Sequence, residues 1–121
     1  DKIVKSLKSS PKWNNQFTFL NAEKNLKPSW FGIPILLNKR FKKIKKTFLK
    51  KFNKNGIETR PIISGNFVNQ PSINLYKLNQ SKEKFTVAQE IEDRGFFIGL
   101  HTKNIEKKDL FKLTNNLLSI N

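Results

Sequence analysis

The chain has 121 residues, the length of one ordinary domain, and its formal net charge at pH 7 is +15. The absence of cysteine excludes disulfides, thiolate metal sites and cysteine nucleophiles, and a single histidine argues against a histidine-built metal centre. No apolar run approaches the ~20 residues that span a bilayer, so we expect no membrane-embedded segment.

The positive charge comes almost entirely from lysine, since all but three of the 24 basic residues are Lys. Lys, Asn and Ile have AT-rich codons, so a low-GC genome produces this bias without selection for binding. Recognition of bases and phosphates favours the planar, bidentate guanidinium of Arg. We therefore expect neither nucleic acid nor a membrane as partner. A stand-alone basic module that binds nucleic acid or an anionic membrane is the alternative interpretation.

Residues 1–29 predict the tail of a helix followed by a linker. Ile3 and Leu7 lie four residues apart, as on one helix face, and no N-cap residue precedes them. The chain also begins without Met. We therefore expect this helix to continue from a missing N-terminal large domain. Phe17 and Phe19 predict a short extended segment within the linker.

Residues 30–37 predict a buried strand that lies at a sheet edge or is bulged, because Pro34 cannot donate to a ladder. Residues 40–54 then predict the clearest helix. Its apolar residues form one stripe, opposite a face that is almost all lysine: Phe41, Ile44, Phe48, Leu49 and Phe52. Asn55-Gly56 is a typical helix end.

Shorter elements follow in the second half of the chain. They are strands over 57–63 and 96–100, a turn at 64–66, helical segments over 71–76 and 86–94, and a final helix after Asn104. Thr86 and Gln89 have capping-box spacing, and Gly95 is placed to end the helix over 86–94. The order predicts an α/β class: a small α+β-like domain over 30–121, with a mixed or antiparallel sheet covered by helices.

Three polar residues at predicted strand ends are candidates for ligand binding. Arg60 lies among apolar neighbours, where a guanidinium needs an anion; pairing with a nearby Glu would satisfy it equally well. Asn66 offers a donor and an acceptor from the turn at Gly65. His101 follows the strand over 96–100, a common place for site residues in α/β proteins, although a lone histidine is often structural.

The sequence contains no complete catalytic machinery. There is no phosphate-binding Gly-Lys-Ser/Thr motif, no dinucleotide glycine pattern and no nucleophile paired with a base. The chain by itself is therefore not expected to catalyse a reaction.

Four motifs in one order nevertheless point to a family. They are Pro28-Ser29-Trp30-Phe31-Gly32, Gly56-Ile57-Glu58-Thr59-Arg60-Pro61, Gly65-Asn66-Phe67 with Gln70-Pro71, and Arg94-Gly95-Phe96-Phe97-Ile98-Gly99-Leu100-His101. From about residue 5 to 118, the chain resembles the C-terminal part of the DegT/DnrJ/StrS family of sugar-nucleotide aminotransferases and dehydratases. The pieces Ser-Trp-Phe-Gly at 29–32 and Arg-Pro-x-x-x-Gly-Asn-Phe at 60–67 look more like the branch that removes the 3-hydroxyl of nucleotide-linked 4-keto-6-deoxyhexoses.

The resemblance implies a fold type I enzyme that uses pyridoxal phosphate and works as a cytoplasmic homodimer in lipopolysaccharide or deoxysugar biosynthesis. In that family the cofactor is held mainly by the large domain, which this chain lacks. The chain would then be the small domain that closes over the nucleotide-linked sugar. An orphaned domain that serves as dimerisation or regulatory partner of a separate cofactor-bearing chain is a further alternative.

The resemblance also implies roles for five residues. Arg60 and Asn66 would contact sugar, phosphate or co-substrate carboxylate. Trp30 and Phe97, together with Phe31, would shape the wall of the cleft, and His101 would lie near its rim. Core packing is the competing interpretation for Trp30 and Phe97.

Overall fold

The computed structural model describes residues 2–78 and 81–120, apart from the side chain of Lys82. Asp1 of the predicted helix tail and Asn121 of the predicted small domain lie outside the described residues. The helices are α1 (Lys2–Lys8), α2 (Lys45–Lys54), α3 (Ser72–Leu75), α4 (Thr86–Arg94) and α5 (Lys107–Leu117). The strands are β1 (Phe17–Phe19), β2 (Gly32–Leu37), β3 (Thr59–Arg60) and β4 (Gly95–Gly99). Short 3-10 helices occupy Lys39–Ile44, Phe67–Asn69 and Lys82–Phe85.

The four strands form one antiparallel sheet in the order β1-β2-β4-β3, which confirms the predicted class. The two central strands are joined over their whole length, from Gly32 opposite Gly99 to Leu36 opposite Gly95. The predicted strand over 57–63 is wrong in length, because pairing is confined to Thr59–Arg60. Pro61 follows directly and has no N–H with which to extend the ladder.

Pro34 lies in an interior strand without a bulge, so the predicted edge or bulge is wrong for β2. The Leu100 N–H donates to the Phe31 carbonyl. Phe31 and every second residue after it therefore direct their backbone N–H and C=O groups towards β4. By alternation, Pro34 directs its nitrogen towards the other side. There β1 ends at Phe19, opposite Ile35, so the missing N–H costs no ladder hydrogen bond.

The helix predicted over 40–54 forms in two parts. It begins as a 3-10 helix at Lys39, where the Asn38 side chain accepts a hydrogen bond from the Arg40 N–H, and becomes α-helical at Lys45. Gly56 adopts a φ of +73°, which turns the chain out of the helix towards β3.

The core lies between one face of the sheet and the helices. Alternation places Ile35, Leu37, Phe96 and Ile98 on that face. The buried residues that complete the core come from β1, the helices and the segment after α5: Phe17, Ile3, Leu7, Phe41, Phe48, Phe52, Leu113, Leu117, Leu118 and Ile120. Phe48 contacts both Phe17 and Phe96 through its ring. The apolar faces predicted at Ile3 and Leu7 and in the helix over 40–54 are thereby confirmed as core faces, except at Ile44, which is 41% exposed.

Helix α4 passes into β4 without an intervening turn. The predicted capping box is wrong, because the helix begins after Phe85 with no side-chain cap, and the Gln89 side chain is used elsewhere. Gly95 is extended at φ −81°, so it starts a strand and is not a left-handed helix end. Glycine is needed there because a Cβ would collide with the Ile91 carbonyl.

The buried Arg94 side chain ties the end of α4 to the sheet. It donates to the Leu37 carbonyl and pairs with Glu90. The final helix begins two residues later than predicted, since its N-cap is Glu106 and not Asn104. None of the helices within 2–78 and 81–120 is long and apolar enough to cross a membrane.

Candidate functional site

The face of the sheet opposite the core carries most of the predicted site. Pro34 lies directly across from Phe97, and Phe97 lies directly across from Arg60. Directly opposed residues of antiparallel strands project on the same side. These three residues therefore form one row across β2, β4 and β3, on the face that the core helices leave open.

A shallow apolar depression of about 270 Å³ occupies this face. It is lined by Trp30, Phe31, Gly32, Pro34, Ile62, Ile63 and Phe97. Phe31 and Phe97 meet edge to face, with ring centroids 5.7 Å apart. Trp30 remains 42% exposed, Phe31 76% and Ile63 80%, and exposed apolar side chains that lie together in this way mark an interaction site more often than isolated ones do. The structure thus places the predicted wall residues Trp30 and Phe97 together, outside the core.

Arg60 lies at the border of this depression, with its side chain 66% exposed. Its Nε donates to Glu58 Oε1 over 2.8 Å, so the pairing with a nearby Glu that the sequence allowed is the one observed. An exposed ion pair of this kind is weak and screened by salt. The guanidinium can therefore exchange Glu58 for another anion at small cost.

Asn66 is only 1% exposed, and its polar groups bind the protein itself. Its backbone N–H donates to Glu92 Oε2 over 2.7 Å, and its side-chain Nδ2 donates to Gln89 Oε1 over 3.0 Å. The Oδ1 atom accepts from the Val68 N–H. In this structure the Asn66 side chain shapes the turn and does not line the depression. Direct contact with a ligand stays a prediction that this geometry does not support.

His101 is exposed and comes directly after Leu100, the residue whose N–H donates to Phe31 at the mouth of the depression. Its Nδ1 accepts a hydrogen bond from the Lys103 N–H over 3.0 Å. The other ring nitrogen, Nε2, is the one left for a ligand or a proton. A place at the rim and contact with substrate both stay predictions for His101.

Ile62 and Ile63 form a wall of the depression that sequence reasoning missed. The sequence does contain a signal for this wall, because two consecutive isoleucines lie between Arg60-Pro61 and a turn. An apolar pair that stays partly exposed beside a candidate arginine indicates a binding face. Within the described ranges, no group of three His, Cys, Asp or Glu side chains is placed to hold a metal ion.

No family model matches the chain. Two curated relatives do. A GDP-4-keto-6-deoxy-D-mannose 3-dehydratase of Escherichia coli O55:H7 is 32% identical over 73 residues, which cover 60% of this chain and 19% of the relative. The enzyme of the same name from Yersinia pseudotuberculosis is 30% identical over 87 residues, covering 70% of this chain and 22% of the relative. The chain thus spans about a fifth of the length of these relatives.

A solved structure has the same fold. It is a crystal structure of a histidine-to-asparagine variant of GDP-4-keto-6-deoxymannose-3-dehydratase (ColD) with bound GDP-perosamine. The match has a TM-score of 0.70 at 23% identity, and it covers 96% of this chain and 28% of the other. The chain is therefore similar in sequence to part of a sugar-nucleotide dehydratase, and the fold of nearly the whole chain occurs within one.

Proposed function

We propose that this chain is the C-terminal small domain of a sugar-nucleotide 3-dehydratase of the DegT/DnrJ/StrS family, acting on a GDP-linked 4-keto-6-deoxyhexose. The observation that carries the proposal is the identity of 30–32% with two such dehydratases over most of the chain. The shared fold supports it over 96% of the chain. The domain binds and encloses substrate, and by itself it catalyses nothing.

The apolar depression fits the less polar surface of such a substrate. The carbon face of a deoxysugar ring and the face of a purine base both pack well on aromatic side chains. Arg60, at the border, supplies a guanidinium that can leave Glu58 for a phosphate, which it binds in bidentate fashion. Trp30, Phe31 and Phe97 would thus form the wall, with Arg60 beside the diphosphate and His101 at the rim.

Pyridoxal phosphate, the cofactor of this family, does not fit the depression. No lysine lines the depression, and the half-buried Lys45 donates its Nζ to the Glu92 carbonyl, away from it. We therefore assign cofactor binding to a large domain of the parent enzyme. That parent enzyme is proposed to be a cytoplasmic homodimer of deoxysugar or lipopolysaccharide biosynthesis.

An NMR titration of the chain with GDP-mannose tests this assignment, with GDP alone and inorganic phosphate as separate probes. Because the small domain supplies only part of the cleft, we expect weak binding, with a dissociation constant of about 1–10 mM. Shifts should concentrate on the Trp30 indole, Phe97 and the Arg60 Nε–H. The variants Phe97→Ala and Arg60→Met should each weaken the response. The matched control Phe111→Ala removes an exposed aromatic residue of α5 and should leave it unchanged.

Two results would contradict the proposal. One is a titration with GDP-mannose that shifts only the lysine-rich segment 39–54, since this is the behaviour of a non-specific polyanion surface. The other is stoichiometric binding of pyridoxal phosphate by the chain alone, because cofactor binding is assigned to a large domain of the parent enzyme.

A further inference from the structure

A polar cluster joins helix α4 to the turn at 64–69. The turn bends through two successive left-handed residues, Ser64 at φ +66° and Gly65 at φ +50°. The left-handed conformation is sparsely populated for a residue with a side chain, so Ser64 keeps it only where the surroundings hold the backbone. Gln70 Nε2 donates to the Ser64 carbonyl over 3.2 Å, and further bonds come from outside the segment.

Helix α4 supplies these bonds through two residues on one face. Glu92 Oε2 accepts from the Asn66 N–H over 2.7 Å and from Asn69 Nδ2 over 3.0 Å. Gln89 Oε1 accepts from Asn66 Nδ2 over 3.0 Å and from Asn69 Nδ2 over 2.8 Å. Asn66 and Asn69 are thus each bonded to both Gln89 and Glu92. The bonds to Glu92 are the stronger ones because their acceptor is a carboxylate.

The close approach of helix and turn depends on Gly65. A Cβ at this position would lie 2.9 Å from Glu92 Cγ and 3.0 Å from Glu92 Oε2. The helix is fixed from its other side as well, because Lys45 Nζ donates to the Glu92 carbonyl over 2.8 Å. Glu92 therefore connects the helix to a turn whose other bonds come from residues close to it in the chain.

We propose that Glu92 is a positioning residue that fixes the 62–69 segment, so that Ile62 and Ile63 form the second wall of the apolar depression. The turn starts at Ile62, whose carbonyl accepts the Gly65 N–H over 3.1 Å, so the conformation at Gly65 sets the place of both isoleucines. Glu92 itself does not line the depression. The role of Glu92 in substrate binding rests on the proposed function. Its role in fixing the turn does not depend on that function.

Residue-specific amide exchange of the chain tests the hold on the turn. Glu92→Ala should raise the exchange rate of the Asn66 amide at least about tenfold, while the Phe96 and Leu37 amides of the central strands change far less. The Ile62 δ-methyl resonance should shift and that of the core residue Ile35 should not. Glu92→Gln keeps a carbonyl acceptor in place and should restore most of the protection. Asp109→Asn, which removes a negative charge on α5, should change neither signal.

Gly65→Ala approaches the same contact from the turn and should reproduce the loss at Asn66 with Glu92 intact. The proposal is overturned if Asn66 exchange is unchanged in Glu92→Ala, or if all core amides accelerate by the same factor, which indicates a purely global effect. Affinity for GDP-mannose, measured on the same variants, should fall about threefold or more in Glu92→Ala. If the wild-type chain does not bind GDP-mannose, the proposed function fails, and the exchange and methyl results still decide the positioning role.

Discussion

The Phe97 ring lies directly over Gly32 on the open face of the sheet, and a Cβ on Gly32 would come within 2.7 Å of Phe97 Cδ2. Gly99 is the strand partner of Gly32, yet a Cβ there would meet nothing within 4 Å. One glycine of this pair is therefore needed for close packing, and the other is not.

We expect Gly32→Ala to lower the free energy of unfolding by about 1–3 kcal/mol, because the Phe97 ring must leave its position or the strand must shift. Gly99→Ala is the matched control and should stay within about 0.5 kcal/mol of the wild type. Urea denaturation followed by fluorescence measures both. Equal effects of the two substitutions would show that the ring does not depend on Gly32.

The two arginines that pair with glutamates differ in burial, and their substitutions should differ accordingly. Arg94→Met leaves the buried Leu37 carbonyl without its donor and should cost about 2–4 kcal/mol. Arg60→Met breaks only the exposed pair with Glu58 and should cost less than about 1 kcal/mol. Thermal unfolding of the two variants side by side makes the comparison, and a larger loss for Arg60 would contradict it.

The Lys42–Asp93 ion pair should make the free energy of unfolding depend on pH in the acid range. Lys42 Nζ lies 2.6 Å from Asp93 Oδ2, and this bond lowers the pKa of Asp93 below its ordinary 3.8 and raises the pKa of Lys42. A lowered carboxyl pKa contributes stability above the unfolded-state pKa, and that contribution disappears as the pH falls through the folded-state pKa. Asp93→Asn should therefore be less stable than the wild type at neutral pH.

This difference should shrink as the pH falls below about 4, and it should persist up to alkaline pH because the raised pKa of Lys42 keeps the amine charged. Urea midpoints of wild type and Asp93→Asn across the acid range check it. A difference that stays constant down to the acid limit would mean that the charge of Asp93 contributes nothing.

The tolerance of β2 to proline should depend on the side to which each nitrogen points. The Ile33 nitrogen points towards β4 and the Pro34 nitrogen away from it, so Ile33→Pro should remove a central ladder bond and cost about 3 kcal/mol or more. Pro34→Ala should cost less than about 1 kcal/mol, chiefly through greater freedom of the unfolded chain. Guanidinium denaturation compares them, and a tolerated proline at position 33 would contradict the register.

The sequence by itself determined the helices that need only an apolar core to pack against, whichever residues form that core. The seven- and four-residue spacings of Phe41, Phe48 and Phe52 predict a buried helix face whatever lies against it, and the same holds for the four-residue spacing of Leu113 and Leu117. The motifs that point to a sugar-nucleotide enzyme are also local, since each is a short run of residues. The depression was foreseen in part, because Trp30 and Phe97 lie in such motifs.

Only the tertiary structure decided which residues meet across long separations in the chain. Pro34 is tolerated in an interior strand because β1 ends one residue short of it, and no local pattern encodes the length of a neighbouring strand. Gln89 has the spacing of a cap, yet it binds Asn66, 23 residues away, and so removes that asparagine from the open site. Periodicity reports which face of an element is buried, whereas the polar partner of a side chain depends on how separate elements are placed against each other.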